Sequence, residues 1–351
     1  MTQNGAVMSA ATIPSRAARA LALTSASALC MFAATALAIT VMGKVHRPGV
    51  ILDIVIPVFH AKPAAHPPVM AGPAQPVARI DKVEYAGKAL IADPALIESS
   101  LQGPIPRIAD DGRKPMLAYA APAASGKFRI AIVVAGLGMS GKATEAAIAA
   151  LPPAVTFAFE PYTGGVQQYV SEAREKGHEA LLEVPMEPMD FPDSDPGPNT
   201  LRSGVEQDGN GLRLNWAMSR FTGYAGVTNL LGQRFLSDSD ALAPTMVQLA
   251  RRGLYFFDNG AVPQSVAPDV AGRSGTAFAK ATETLDDVQS PLDIDRHLSA
   301  LEDQARAHGT AIGSGFLYPV TVARIAQWAK GLEGRGFVLV PVSAVLNPPP
   351  K

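Results

Sequence analysis

Residues Phe128 to Pro153 read "FRIAIVVAGLGMSGKATEAAIAALPP". The first seven are apolar apart from one Arg, and they predict a strand. From Ser140 the pattern turns Ala-rich with helical spacing. Ser140 is placed to cap that helix, and Pro152-Pro153 to stop it. One strand, a glycine turn and one helix make a β/α unit. The alternation continues down the chain. "AVTFAFE" precedes "GGVQQYVSEAREKG"; then come "HEALLEV", "GVTNLL", "LYFFD", "TAFAKA", "TAIGS" and "FVLVPV".

Four helix-to-strand junctions share a form: "REKGHEALLEV", "ARRGLYFFD", "RAHGTAIGS" and "GRGFVLVPV". Each has a cation near a helix end, then Gly, then an apolar strand. Gly in the left-handed conformation closes a helix, and the cation complements the helix dipole. Strands this uniformly apolar are covered on both faces, which predicts a parallel sheet. About eight strands over roughly 220 residues match one α/β barrel. An open doubly wound sheet is the alternative. Both folds put chemistry at the C-terminal ends of the strands. That rule selects Ala135-Gly136, Glu160, Glu183 to Glu187, Thr228 to Arg234, Asp258-Asn259, Lys280 and Ser314 to Tyr318.

The glycine loop has competing readings. Gly136-x-Gly138-x-x-Gly141 follows a strand and opens a helix, with Glu160 about 20 residues on, where an acid meets a ribose in dinucleotide sites. Read as a P-loop, Gly136 to Lys142 lacks the hydroxyl residue, because Ala143 follows the Lys. The glycines also suit a plain tight turn.

The chain has 351 residues, 48% hydrophobic and 17% charged, enough for one sizeable core plus extras or for two domains. The net charge of -1 gives no basic excess, so no nucleic-acid partner is expected. Ala20 to Gly43 carries no charge, and at roughly 1.5 Å per residue it spans a ~30 Å hydrocarbon core. Arg16 and Arg19 precede it and predict a cytoplasmic N-terminus with the bulk exported. A cleaved signal ending at Ala36-Leu37-Ala38 is the alternative; the apolar run continues to Met42, which favours an uncleaved anchor. Export also counts against a nucleotide cofactor. Cys30, the only cysteine, lies in this run, so no intramolecular disulfide forms. Residues 61–77 are Ala/Pro-rich and read as a stiff linker, in which His66, like His60 before it, has no metal partner pattern.

From Phe128 to Val345 the chain resembles the divergent polysaccharide deacetylase family of bacterial envelope proteins. "LPPAVTFAFEPY", "GHEALLEVPMEP", "DPGPNTL", "GVTNLLGQRF", "RGLYFFDNG" with "SVAP" after it, "AIGSGFLYPVT" and "LVPVSAV" carry the likeness. The resemblance implies a deformed parallel β/α barrel of seven or eight strands, related to metal-dependent enzymes that deacetylate amino sugars. Together with the charge-free run and the linker, it divides the chain into a cytoplasmic N-terminus (1–19), an anchor or signal segment (20–43), a linker (44–78), a lead-in (79–127) and the barrel (128–347). The run and its flanking Arg residues predict a single-pass inner-membrane protein with a periplasmic domain, and the resemblance implies an envelope polysaccharide or amino-sugar glycan as partner. In the family a divalent metal, usually zinc, polarises the amide carbonyl and activates water.

The ligands such a metal needs are replaced. The family's first strand ends in an Asp pair; Ala135-Gly136 stands here. Glu183 stands before "VPMEP" in place of a His, Leu230 in place of another, and Gly315-Phe316-Leu317 in place of "GHP". No metal or other cofactor is therefore expected, and the glycine loop stands where the Asp pair would be.

The remaining polar candidates are Glu183, Glu187 and Asp258 as acid and base, with Thr228, Asn229, Arg234, Lys280 and Tyr318 as sugar contacts. Helix capping and pairing with Arg234 and Lys280 explain the same carboxylates structurally. His178 is expected in a structural hydrogen bond, and His297 and His308 on a solvated helix. Tyr162, Trp216, Tyr224 and Phe316 can stack on sugars or fill the core. Three functions follow: a glycan-binding envelope protein without metal catalysis; a metal-independent polysaccharide hydrolase using Glu183, Glu187 and Asp258; and a dinucleotide-binding protein using Gly136, Gly138, Gly141 and Glu160.

Overall fold

A computed structural model describes residues 92–205 and 207–347. The anchor or signal segment, the linker with His60 and His66, Cys30 and residues 79–91 of the lead-in lie outside the described residues.

The lead-in contributes an antiparallel hairpin, β1 (Ile97–Ser100) and β2 (Gly103–Pro106), and a short helix α1 (Pro115–Ala118). Then the alternation begins: β3 (Phe128–Leu137), α2 (Gly141–Ala150), β4 (Thr156–Phe159), α3 (Val166–Glu175), β5 (Ala180–Met186), α4 (Gln207–Met218), β6 (Gly226–Leu231), α5 (Ser239–Arg251), β7 (Tyr255–Asp258), α6 (Ala267–Ser274) and β8 (Phe278–Lys280). It ends with β9 (Glu283–Thr284), α7 (Pro291–His308), β10 (Thr310–Phe316), α8 (Pro319–Ala329) and β11 (Phe337–Val340). Ser140 caps α2, its hydroxyl accepting from the Ala143 amide at 3.4 Å. The junction glycines Gly177, Gly253, Gly309 and Gly336 have φ of 92°, 67°, 80° and 89°, the left-handed form their positions predict.

The strands pair in parallel in the order β8-β7-β6-β5-β4-β3-β10-β9, and β11 pairs with the first half of β3 beside β4. The sheet curls, as its two ends show. β8 and β9 are the outermost strands of this path, yet only Ala281 and Thr282 separate them. The Ala281 amide donates back to Asp258 O of β7 at 2.9 Å, and the Thr282 amide donates forward to Ile312 O of β10 at 2.8 Å. Two consecutive residues thus span the seam of a deformed barrel. The sequence shows no strand at β9, because two residues have no period to read.

Alternate residues face opposite ways. Ile132, Val134, Phe157, Leu182 and Phe256 pack under the helices. Ala131, Val133, Ala158, Leu181, Phe257, Ala279 and Ile312 face inward, with Leu96 and Tyr119 of the lead-in. Glu179, at the N-terminal end of β5, ties that lead-in down. Its carboxyl accepts from the Tyr255 hydroxyl at 2.7 Å, the Ser343 amide at 3.1 Å and the Ala121 amide at 3.2 Å. Burial pushes this carboxyl up, against the pull of those donors.

Candidate functional site at the barrel mouth

The C-terminal strand ends gather five buried carboxyls: Glu160, Glu183, Glu187, Asp258 and Asp286. Their partners separate their roles.

Glu183 comes from β5 and is 1% exposed. Its Oε1 accepts from the Gly136 amide in a short hydrogen bond. In the β4–β5 register Phe159 faces Leu182, so Glu160 and Glu183 come next, side by side. Burial pushes the Glu183 carboxyl up to about 8; the Gly136 amide opposes this and neighbouring Glu160 adds to it. Glu160 accepts from the Tyr162 amide at 3.0 Å and from the Thr163 hydroxyl.

Gly136 has φ 84°, and a Cβ there would collide with the ring of Phe316. That ring, at the end of β10, covers the turn and lies 5.1 Å from the ring of Tyr318. Asp286 sets its position: its Oδ2 accepts from the Phe316 amide at 2.7 Å and the Thr321 hydroxyl at 2.8 Å. Burial raises the Asp286 pKa.

Glu187 accepts from the Ser203 amide at 2.7 Å and faces Arg234 at 3.9 Å. Asp258 is fully buried. Its Oδ1 accepts from the Gly260 amide at 2.9 Å, and its Oδ2 has no hydrogen-bond partner, with Lys280 Nζ at 4.0 Å. The buried Thr228 hydroxyl is also unpartnered. Asn229 is committed internally: its amide donates to Leu231 O at 2.8 Å and to Asn259 at 3.0 Å. The bond to Leu231 supports a left-handed non-glycine residue, φ 58°. Asn229 is therefore structural and leaves the set of sugar contacts. Glu183, Glu187 and Asp258 each have separate partners.

Other candidates also resolve. His178 Nδ1 lies 2.9 Å from Val155 O and its ring packs on Phe157 at 4.2 Å, with burial lowering its pKa. Tyr224 is core, its hydroxyl donating to Met218 O at 2.9 Å. His297 is half-buried and 2.6 Å from Glu283, so it is not the solvated residue its charged helix suggests. Tyr162 and Trp216 pack together at 4.8 Å on the rim. A surface depression of about 1430 Å³ lies elsewhere, between the β1–β2 hairpin, α4 and α5.

Residues 132–346 match the family model described as divergent polysaccharide deacetylase. The chain belongs to that family. An uncharacterised protein of Agrobacterium tumefaciens C58, known from its crystal structure, is 39% identical, with a TM-score of 0.68 over 69% of this chain and 99% of that one. The uncharacterised protein YibQ of Escherichia coli K12 is 29% identical over 234 residues, 67% of this chain and 72% of that protein. An uncharacterised Haemophilus influenzae protein is 28% identical over 204 residues, 58% of this chain and 72% of that one.

The divergent deacetylase barrel of this chain does not fit the family's metal. Ala135, Gly136, Leu230 and Phe316 offer no side-chain donor, and the buried Glu183 carboxyl is taken by the Gly136 amide, whose own Cα lies against the Phe316 ring. Among the described residues no three His, Cys, Asp or Glu side chains converge as a ligand set. The glycine loop is satisfied internally as well. The Gly136 amide goes to Glu183, the Gly138 amide to Thr144 Oγ1 at 2.9 Å, and Gly141 makes room for the Tyr169 hydroxyl. Glu160 is held by its own loop. These commitments remove the free amides that a pyrophosphate needs. Glu179 and Asp286 escape sequence reasoning altogether; their donors are distant in sequence, and no local pattern marks them.

Proposed function

We propose that this chain is a membrane-anchored envelope protein that binds polysaccharide at the barrel mouth without metal-assisted deacetylation. The observation that carries the reading is the Glu183 carboxyl bound to the Gly136 amide, with the Phe316 ring packed against Gly136, at the position where the family resemblance expects metal ligands. Family membership supports a carbohydrate partner. The rim offers Tyr318, Arg234 and the Tyr162–Trp216 pair, groups suited to stacking and to hydroxyl contacts. The uncharged run at residues 20–43, preceded by Arg16 and Arg19, supports the anchor and a periplasmic barrel. Hydrolysis by Glu183, Glu187 and Asp258 has less support, because each carboxyl is already engaged by its own backbone amide.

The test is calorimetric titration of the full chain with N-acetylglucosamine oligomers, with and without EDTA, while released acetate is assayed. Binding indifferent to EDTA, with no acetate, supports the proposal. Zinc-dependent acetate release sinks it.

A further inference from the structure

Along the seam, two adjoining depressions of about 660 and 540 Å³ share Arg129, His308, Thr310 and Ala344. Lys280 and Thr282 line the first and Lys127 the second. The crevice thus runs from the end of β8 to the starts of β3 and β10. Four of its side chains can carry positive charge, and among the described residues no Asp or Glu lines it. This contrasts with a net charge of -1 for the whole chain.

The cations there are positioned but not neutralised. Arg129 is half-buried, and its guanidinium donates to two uncharged acceptors, Ala344 O and Thr310 Oγ1, both at 3.2 Å. Lys127 lies 4.9 Å from the Phe128 ring centroid. Lys127, Arg129 and His308 form no ion pair among the described residues. Lys280 is only loosely engaged, 4.0 Å from Asp258. A crevice lined by one charge sign raises the local concentration of a ligand of the other sign. A guanidinium held by neutral acceptors keeps its charge, and its planar fork suits oxyanions.

We propose that this crevice binds the carboxylates of an acidic, uronic-acid polysaccharide. Two adjoining depressions that together carry four basic side chains suit an extended strand with a charge on successive sugars. The proposal rests on the polysaccharide-binding reading and adds a substrate class and a second contact region.

The full chain is titrated at low salt with trigalacturonate, with the neutral N-acetylglucosamine trimer and with inorganic phosphate. Lys127→Glu and the double variant Lys127→Glu/His308→Glu alter exposed residues and leave Arg129 and its bonds intact. Trigalacturonate is expected to bind, to weaken as salt rises, and to lose about tenfold in affinity in Lys127→Glu, the scale of one charge-assisted contact. The neutral trimer is expected to bind both variants as it binds the parent. No trigalacturonate binding, or equal binding by the double variant, overturns the crevice. Phosphate binding without trigalacturonate binding overturns the sugar-acid assignment and gives the crevice to free phosphate. Loss of the neutral trimer alone counts against the mouth and leaves the crevice standing.

Discussion

The Glu183 carboxyl and the Gly136 amide meet across the barrel mouth, bonding a residue of β5 to the glycine turn that ends β3. Parallel strands that are not neighbours are thereby joined, with β4 between them. The carboxyl is almost wholly buried and sits beside Glu160. That combination makes its proton part of the fold.

Stability should therefore fall as pH rises. The Glu183 pKa is about 8 in the folded chain against 4.5 ordinarily. The folded state holds a proton that the unfolded chain releases across that window. The stabilisation is complete below about pH 4.5, declines between there and pH 8, and is gone above it. Each pH unit crossed is worth about 1.4 kcal/mol at most. Glu179 and Asp286 are raised by burial and act in the same sense. Glu183→Gln isolates one contribution: it keeps an acceptor for the Gly136 amide and removes the titration. Thermal unfolding from pH 5 to 9 should show a flatter profile for this variant and a higher melting temperature than the parent at pH 9. Parallel profiles would show that Glu183 titrates normally.

Gly136→Ala should destabilise by about 2–4 kcal/mol, from left-handed strain plus collision with the Phe316 ring. In a Phe316→Ala background the collision is gone and only the strain remains, about 1–2 kcal/mol. A double-mutant cycle by urea unfolding should give a favourable coupling of at least about 1 kcal/mol. Additive effects would mean that the ring and the glycine do not touch.

Glu179→Ala should cost about 3 kcal/mol, since it strands the buried Tyr255 hydroxyl and the half-buried amides of Ala121 and Ser343. The lead-in loses its tie at Ala121, so trypsin should cut faster at Arg113 or Lys127. An unchanged digestion pattern would show that the lead-in is held by other contacts.

The full chain, loaded with zinc and then dialysed, should retain well under one metal per chain by elemental analysis. One tightly held zinc would mean that Glu183 and its neighbours rearrange into a ligand set. Restoring donors by Gly136→Asp alone should not create a site, because Leu230 and Phe316 remain.

Much of this architecture is written locally. Apolar runs bounded by glycine specify β3 to β8, β10 and β11, and Gly177, Gly253, Gly309 and Gly336 take the backbone form that their junctions demand. The loss of donors at Ala135, Gly136, Leu230 and Phe316 is equally plain. Register is not local. That Glu160 stands beside Glu183, or that Asp286 holds the Phe316 amide, depends on how strands align in space. Asn229 shows the same limit: its sequence position suggests a sugar contact, and only its neighbours Leu231 and Asn259 reveal that it is occupied.

Ala281 and Thr282, donating in opposite directions to β7 and β10, have a further consequence. A complete barrel fixes its girth by a continuous ladder of hydrogen bonds. This one fixes it by chain length, since two peptide units measure the distance from one sheet edge to the other. One residue inserted between Lys280 and Glu283 adds about 3.3 Å of slack, and nothing in the ladder would take it up. The girth of the barrel is thus a property of its covalent chain, and a residue inserted in this short segment would loosen the seam.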